Sequence, residues 1–236
     1  MKTFQAAKNF VYSSFLVLLS LLLSCPATAA ESPEEIATRL QKRYDSIYSF
    51  TFDFNQDTRG QLSGRPKKGS GQAFFVKTGN ADMKSGKMRW NYLSPEKQVL
   101  VSDGITFTMY FASMAQMIIT PASTLQQDLT YSFFTGSGNL LKDFTILAPD
   151  QVTSPQGQTN SIKLIPNSKQ SQVAEIHLWV TDDSLIRRIE ILDHFDTLTV
   201  LNFSNLLVNT LDRDDAELME SLFHYTPPEG TEIINQ

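Results

Sequence analysis

The side chains that usually perform catalysis are few and scattered in this sequence. The three histidines, His177, His194 and His224, and the single cysteine, Cys25, are far apart along the chain. The stretch Gly136-Ser137-Gly138 lacks the spacing of a nucleophile elbow, and no glycine loop of the phosphate-binding kind is present. These counts also argue against a multi-histidine metal centre and a cysteine-rich zinc site. We therefore expect no catalytic residue, no metal and no cofactor.

The unusual residues are aromatic and methionine side chains at alternating positions of predicted strands. Alternation places such side chains on one face of a strand, where they normally form a core. A wide, curled sheet encloses more space than facing side chains fill, and phenylalanine and methionine adapt well to flexible apolar guests. We therefore predict an apolar cavity lined by Phe50, Phe52, Phe54, Met88, Trp90, Tyr92, Phe107, Met109 and Phe111.

A cover for this cavity is predicted in the segment that follows Pro121, where the strand pattern gives way to short helical pieces. Leu129, Tyr131, Phe133 and Phe134 give this segment an apolar face. The aromatic rings would be buried when the lid is shut and would contact the guest when it is open.

The elements that must position these residues belong to a mainly β protein. Ser32, Pro33 and Glu35 form the start signal of a helix, and apolar residues then recur at helical spacing as far as Ile47. From Tyr48 onward the pattern alternates, and turn signals separate many short strands. We expect one antiparallel sheet of about ten or more strands, which is wide enough to curl toward a barrel.

The first 30 residues contain no acidic residue and follow the pattern of a secretory signal peptide. Lys2 and Lys8 precede the apolar run Phe15–Leu23, and small residues follow. We expect cleavage near Ala29 or Ala30, which leaves residues 31–236 as a single domain.

Cys25 offers a competing interpretation of the same segment. The stretch Leu22-Leu23-Ser24-Cys25 loosely resembles the box in which bacterial lipoproteins are lipidated on cysteine. Lipidation of Cys25 would tether the protein to a membrane instead of releasing it.

Charge is unevenly distributed in this chain of 236 residues. The formal net charge is −5, which argues against general nucleic-acid binding. Residues 59–97, in contrast, contain nine lysines and arginines and only two acidic residues. This segment is either a solvated rim or a contact surface for an acidic partner or anionic lipid headgroups.

Several sequence blocks, in order, resemble the LolA family of periplasmic lipoprotein carriers. The blocks are Phe50–Gln56, Gly71 with Phe74 and Phe75, Met88–Tyr92, Ser94-Pro95, Val101–Gly104 and Tyr225–Gly230. The resemblance implies an incompletely closed β-barrel with a helical lid over an apolar cavity for acyl chains. It implies a periplasmic, non-enzymatic carrier that takes acylated lipoprotein cargo from an inner-membrane ABC transporter and delivers it to an outer-membrane acceptor lipoprotein. We expect it to act as a monomer.

The resemblance also assigns roles to particular positions. In the family an arginine holds the lid shut by hydrogen bonds, and here Lys84 stands at that place, with Lys87 and Arg89 near enough to share the role. Met88 matches the position linked to handing cargo onward.

Three other functions remain open at the level of sequence. The first is a Cys25-anchored envelope lipoprotein that acts as an acceptor, and the second is an envelope sensor or scaffold domain that binds protein. The third is a hydrolase that depends on His194.

Overall fold

The protein is built on one twelve-stranded sheet, as seen in a computed structural model of the chain. The structure describes residues 31–60, 65–77, 86–127, 129–135, 138–150, 160–168 and 172–236. From Ser32 onward these residues belong to one unit. In chain order the strands are β1 (Ser49–Arg59), β2 (Lys67–Val76), β3 (Lys87–Ser94), β4 (Gln98–Ser102), β5 (Thr106–Phe111), β6 (Gln116–Pro121), β7 (Phe144–Leu147), β8 (Asn160–Pro166), β9 (Val173–Val180), β10 (Ile186–Asp193), β11 (Leu198–Val208) and β12 (Glu232–Asn235).

Short helices accompany the sheet in the described part of the chain. They are α1 (Pro33–Ser46), α2 (Leu129–Thr135), α3 (Leu140–Asp143) and α4 (Ala216–Phe223), with 3₁₀ turns at Ala112–Met114 and Ala122–Gln127. Within the described residues, none of these helices has both the length and the apolar character needed to cross a bilayer.

The sheet is open, because its first and last strands do not pair with each other. The spatial order is β12-β6-β5-β4-β3-β2-β1-β11-β10-β9-β8-β7. Every neighbouring pair is antiparallel except β12 and β6, which run parallel. The predicted class, a mainly β, incompletely closed antiparallel sheet with an N-terminal helix, is confirmed. The parallel strand β12 was not predicted.

Helix α1 begins where the sequence indicates. The Ser32 hydroxyl accepts from the Glu35 backbone N–H at 3.2 Å, and the Glu35 carboxylate accepts from the Ser32 N–H at 2.8 Å. Ile36, Leu40 and Tyr44 are buried against one face of the sheet, which we call the inner face. The Tyr44 hydroxyl accepts from the Ile186 N–H at 3.2 Å and so ties the helix to β10.

The opposite, outer face is covered in part by helix α4, which was not predicted. Asp215 caps the helix by accepting from the Leu218 N–H at 2.9 Å. Met219 and Phe223 then pack against a second apolar cluster on the outer side of β2, β4, β5 and β6, which consists of Val76, Val99, Val101, Tyr110 and Met117.

Candidate functional site

The nine residues predicted to line a cavity lie on the inner face, in three cross-strand rows. Directly paired residues of neighbouring strands share a face, so the strand register defines each row. The covered row is Phe50, Phe75, Met88, Ser102, Phe107 and Thr120; the middle row is Phe52, Ala73, Trp90, Leu100, Met109 and Ile118; the far row is Phe54, Gly71, Tyr92, Gln98, Phe111 and Gln116. Sequence reasoning missed Phe75, Leu100 and Ile118, because apolar residues flank each of them on both sides and hide the alternation.

Burial decreases across the middle row toward the β6 side of the sheet. Phe52 and Trp90 are buried, whereas Leu100, Met109 and Ile118 are half-buried. In the far row Phe54 is buried, but Tyr92 and Phe111 are half-buried. The inner face of β4, β5 and β6 therefore presents a partly open apolar wall that continues directly from the core.

Helix α2 covers the other part of this face with aromatic rings. The Phe134 ring lies 5.0 Å from the Phe75 ring and 5.7 Å from the Phe50 ring, measured between centroids. The Phe133 ring lies 4.6 Å from the Tyr44 ring of α1. The two phenylalanines thus occupy the place predicted for a lid. Leu129 begins α2, and its side chain lies outside the described residues.

The space beneath the lid is small in this conformation. One recess of about 30 Å³ lies between α2, α3 and strands β7–β10, and its lining is wholly apolar: Phe133, Phe134, Leu140, Phe144, Leu164, Ile176, Leu178, Ile186 and Ile189. That is much smaller than the apolar cavity of roughly 150 Å³ that can hold one benzene molecule. The Phe134 ring of α2 packs into the interior of the sheet against Phe50, Phe52 and Phe75.

Polar contacts hold α2 and α3 in place. The buried Tyr131 hydroxyl donates to the Gly86 carbonyl at 3.0 Å, and burial raises the pKa of Tyr131. The side-chain carbonyl of Gln41 in α1 accepts from the Leu140 N–H at 2.8 Å. Gly86 must be small, because a Cβ there would lie 2.9 Å from the Thr135 Cβ and 2.8 Å from the Val76 carbonyl oxygen.

The basic residues predicted as the latch are not brought to the lid by the described structure. Arg89 projects from the outer face, where its guanidinium donates to the Leu222 carbonyl at 2.8 Å and lies 5.7 Å from the Tyr225 ring centre. The Lys87 ammonium lies over the Phe223 ring. Both therefore hold α4, because alternation along β3 turns them away from the inner-face residues Met88 and Trp90. Lys84 lies outside the described residues.

One acidic cluster on the outer face has the composition of a metal site but already contains a lysine ammonium. Asp150, Glu175 and His177 bring potential ligand atoms within 4.8 Å of one another. The Lys163 ammonium lies 2.6 Å from Asp150 and 2.7 Å from Glu175, and this hydrogen bonding lowers the pKa of Glu175. The lysine supplies the positive charge that a cation would bring.

Comparison with known proteins agrees with this geometry. The family model of the outer membrane lipoprotein carrier protein LolA matches residues 45–217. The chain belongs to the LolA family. The match to this family extends from the end of α1 to the start of α4, so it includes the whole inner-face wall and the lid.

Individual relatives of this LolA-family chain cover almost its full length. An outer-membrane lipoprotein carrier protein of Methylococcus capsulatus is 29% identical over 221 residues, which is 94% of this chain and 98% of the relative. One of Nitrosomonas europaea is 26% identical over 220 residues, 93% and 97% of the two chains. A solved structure of an uncharacterized conserved protein from Thermus thermophilus shares the fold, with a TM-score of 0.52, 14% identity and coverage of 86% and 98%.

Proposed function

We propose that this protein is a soluble periplasmic carrier that binds the acyl chains of lipoproteins released from the inner membrane and delivers them to the outer membrane. The observation that carries the proposal is the inner-face wall, on which nine apolar residues meet in register and the part along β4–β6 stays half-open. Membership of the LolA family supports the same role. The proposed partners are acylated lipoprotein cargo, an inner-membrane ABC transporter and an outer-membrane acceptor lipoprotein.

Cargo would enter by displacing α2. A recess of about 30 Å³, much smaller than a benzene-sized cavity, cannot hold an acyl chain, so the Phe133 and Phe134 rings must leave the interior as the chains enter. The departing rings and the incoming chains compete for the same apolar contacts with Phe50, Phe52 and Phe75. The net gain on loading is therefore smaller than the gross burial of the chains.

Weak net binding suits a carrier. Each methylene withdrawn from water contributes about 0.8 kcal/mol, so complete burial of about 40 methylenes would contribute roughly 30 kcal/mol. That exceeds the practical limit of about 20 kcal/mol for noncovalent affinity and would make release very slow. Partial shielding by an exchangeable lid avoids this, and the energy for loading must then come from the transporter.

A substitution on the half-open wall tests the proposal. Met109→Glu places a carboxylate where the chains would lie, and Thr108→Glu places the same charge at the next position of β5, on the other face of the sheet. Native mass spectrometry of protein recovered from the periplasm should show acylated lipoprotein bound to the wild type and to Thr108→Glu, and at least tenfold less on Met109→Glu. Equal loading of both variants would refute the assignment of the wall.

The same spectra test the proposed export and processing of the chain. A mass that begins after Ala29 or Ala30 supports a released carrier. A diacylated or triacylated mass that begins at Cys25 would identify a tethered, acceptor-like lipoprotein instead.

A further inference from the structure

One end of the sheet combines basic and apolar side chains at its edge. Strands β1 and β2 pair up to Thr58 and Lys67, and Arg59 at the end of β1 pairs with Leu198 of β11. The turn between β10 and β11, which carries Phe195, therefore lies beside the end of β1. We call Arg59, Arg65, Lys67, Lys68 and Phe195 together the basic end.

The basic end is strongly positive for a protein of negative net charge. Residues 59–68 contain four basic residues and no acidic one. Arg59 pairs with Asp57 at 2.8 Å, whereas the exposed Arg65, Lys67 and Lys68 make no ion pair within the described residues. Three of the other five basic residues of the 59–97 segment are used differently: Lys77 donates to the Tyr44 carbonyl, and Lys87 and Arg89 hold α4. Lys97 is exposed in the turn between β3 and β4, and Lys84 lies outside the described residues.

Phe195 is presented to solvent by an ordered turn. Phe195 is 80% exposed, and its backbone N–H donates to the Asp193 carboxylate at 2.8 Å. The same carboxylate accepts from the Thr197 N–H at 2.8 Å, and Asp196 adopts a left-handed conformation with φ 57°. Asp193 is thus occupied by backbone donors within the turn, while Asp57, Glu96, Asp196 and Glu232 are other acidic residues at this end of the sheet.

Two neighbouring connections at the same end also expose apolar side chains. Leu93 near the end of β3 is 65% exposed, and Met114 between β5 and β6 is 58% exposed. Protein interfaces gather apolar side chains into one packed patch. At this end of the sheet the exposed apolar side chains lie singly, each at a separate hairpin connection, with basic residues between them. This pattern fits the interface of a bilayer, where each side chain can enter independently.

We propose that the basic end docks the protein on membranes that contain anionic phospholipids, with lysines and arginines near the headgroups and Phe195 inserted at the interface. Juxtamembrane basic clusters are attracted to anionic lipid surfaces over about one Debye length. Docking at this end would hold the carrier beside the bilayers between which its cargo moves. The inference concerns the empty protein and does not depend on acyl-chain binding.

Vesicle sedimentation tests the electrostatic part. We expect the cargo-free protein to bind vesicles of phosphatidylcholine with about 30% phosphatidylglycerol at least tenfold more than pure phosphatidylcholine vesicles, and to lose this preference near 0.5 M salt. The double variant Lys67→Glu/Lys68→Glu should lose the binding. The control Lys42→Glu/Arg187→Glu makes the same charge change at exposed positions of α1 and β10 and should keep at least half of it.

Insertion of Phe195 is tested by replacing it with a fluorophore. The indole introduced by Phe195→Trp should be quenched by brominated lipid chains in anionic vesicles, whereas the mostly buried Trp90 and Trp179 of the wild type should not. The proposal is overturned if the wild type does not bind anionic vesicles, if both double variants lose binding equally, or if the introduced indole is not quenched. Absence of vesicle binding together with a salt-sensitive complex with the transporter or acceptor that requires Lys67 and Lys68 would assign the basic end to an acidic protein partner.

Discussion

Tyr92 makes both an aromatic contact and a hydrogen bond at the edge of the apolar wall. Its ring lies 4.9 Å from the Phe54 ring, and its hydroxyl donates to the Gln56 side-chain carbonyl at 2.7 Å. Desolvation raises the pKa of Tyr92 to about 12. The phenol therefore stays protonated in the folded protein at pH values where it ionises in the unfolded chain, whose tyrosine pKa is about 10.

Stability should consequently decrease in alkali. The contribution of Tyr92 is fully present below about pH 10, decreases as the unfolded chain loses the proton, and is gone near pH 12. We expect urea unfolding at several pH values to show a steeper decline for the wild type than for Tyr92→Phe, with a difference of up to about 1.4 kcal/mol per pH unit. Parallel declines would show that Tyr92 ionises alike in both states.

Individual residues also mark the limit of what the sequence could predict. Alternation along the strands was enough to place Phe52, Trp90 and Met109 on one face, because the period of a strand is fixed by its geometry. Alternation could not predict that Phe52 and Trp90 are buried while Met109 is half-buried. That difference depends on where α2 lies, and it involves pairings between residues distant in sequence.

Helix α2 is the proposed lid, so its stability would decide access to the inner face. Tyr131→Phe removes the hydrogen bond to Gly86 and leaves a buried carbonyl without that donor, at a cost of about 1–2 kcal/mol. Local opening of α2 should become roughly tenfold more frequent, measured as faster amide hydrogen exchange in α2. Tyr110→Phe alters a tyrosine buried on the outer face and serves as the control. Unchanged exchange in Tyr131→Phe would mean that aromatic packing alone closes the lid.

Helix α4 was not predicted, because the two prolines that follow it gave a stronger signal than its own cap and apolar spacing. Pro227 and Pro228 indicate an extended tail, which is correct for the residues after the helix. The cap at Asp215 and the spacing of Met219 and Phe223 could have identified the helix. The contact with Arg89 could not be inferred, because β3 and α4 are more than a hundred residues apart in sequence.

At the scale of the whole molecule, β12 protects an edge. It pairs with β6 from Glu232 to Asn235, and the Gln236 N–H donates to the Ile119 carbonyl at 3.0 Å. Removing residues 231–236 would expose the backbone groups of β6, and uncovered edges recruit other chains. Size-exclusion chromatography with light scattering should show concentration-dependent oligomers of the truncated protein.

A point variant distinguishes the effect of the β12 backbone from the effect of an apolar side chain on that strand. Ile233 is an exposed residue of β12, so Ile233→Ser keeps the backbone pairing and should remain monomeric. Oligomers of Ile233→Ser, or a monomeric truncated protein, would contradict an edge-protecting role for β12.

The fold separates basic residues that are close together in the sequence. Residues 59–97 form one basic run in the chain, and the turns of the sheet divide it among distinct places. Arg65, Lys67 and Lys68 reach the basic end, whereas Lys77 and Arg89 are taken up by helix contacts. The sequence could identify the excess charge, and only the strand topology shows which part of it is accessible.

Because its two end strands do not pair with each other, the sheet can change its width, which a closed barrel cannot do. A closed barrel has a circumference fixed by its strand number and stagger. Here β7 and β12 share no ladder, so the two ends of the sheet can move apart without the loss of hydrogen bonds between those two strands. Under the proposed function, widening of the sheet would let one chain accept cargo bearing two or three fatty acids with no change in fold.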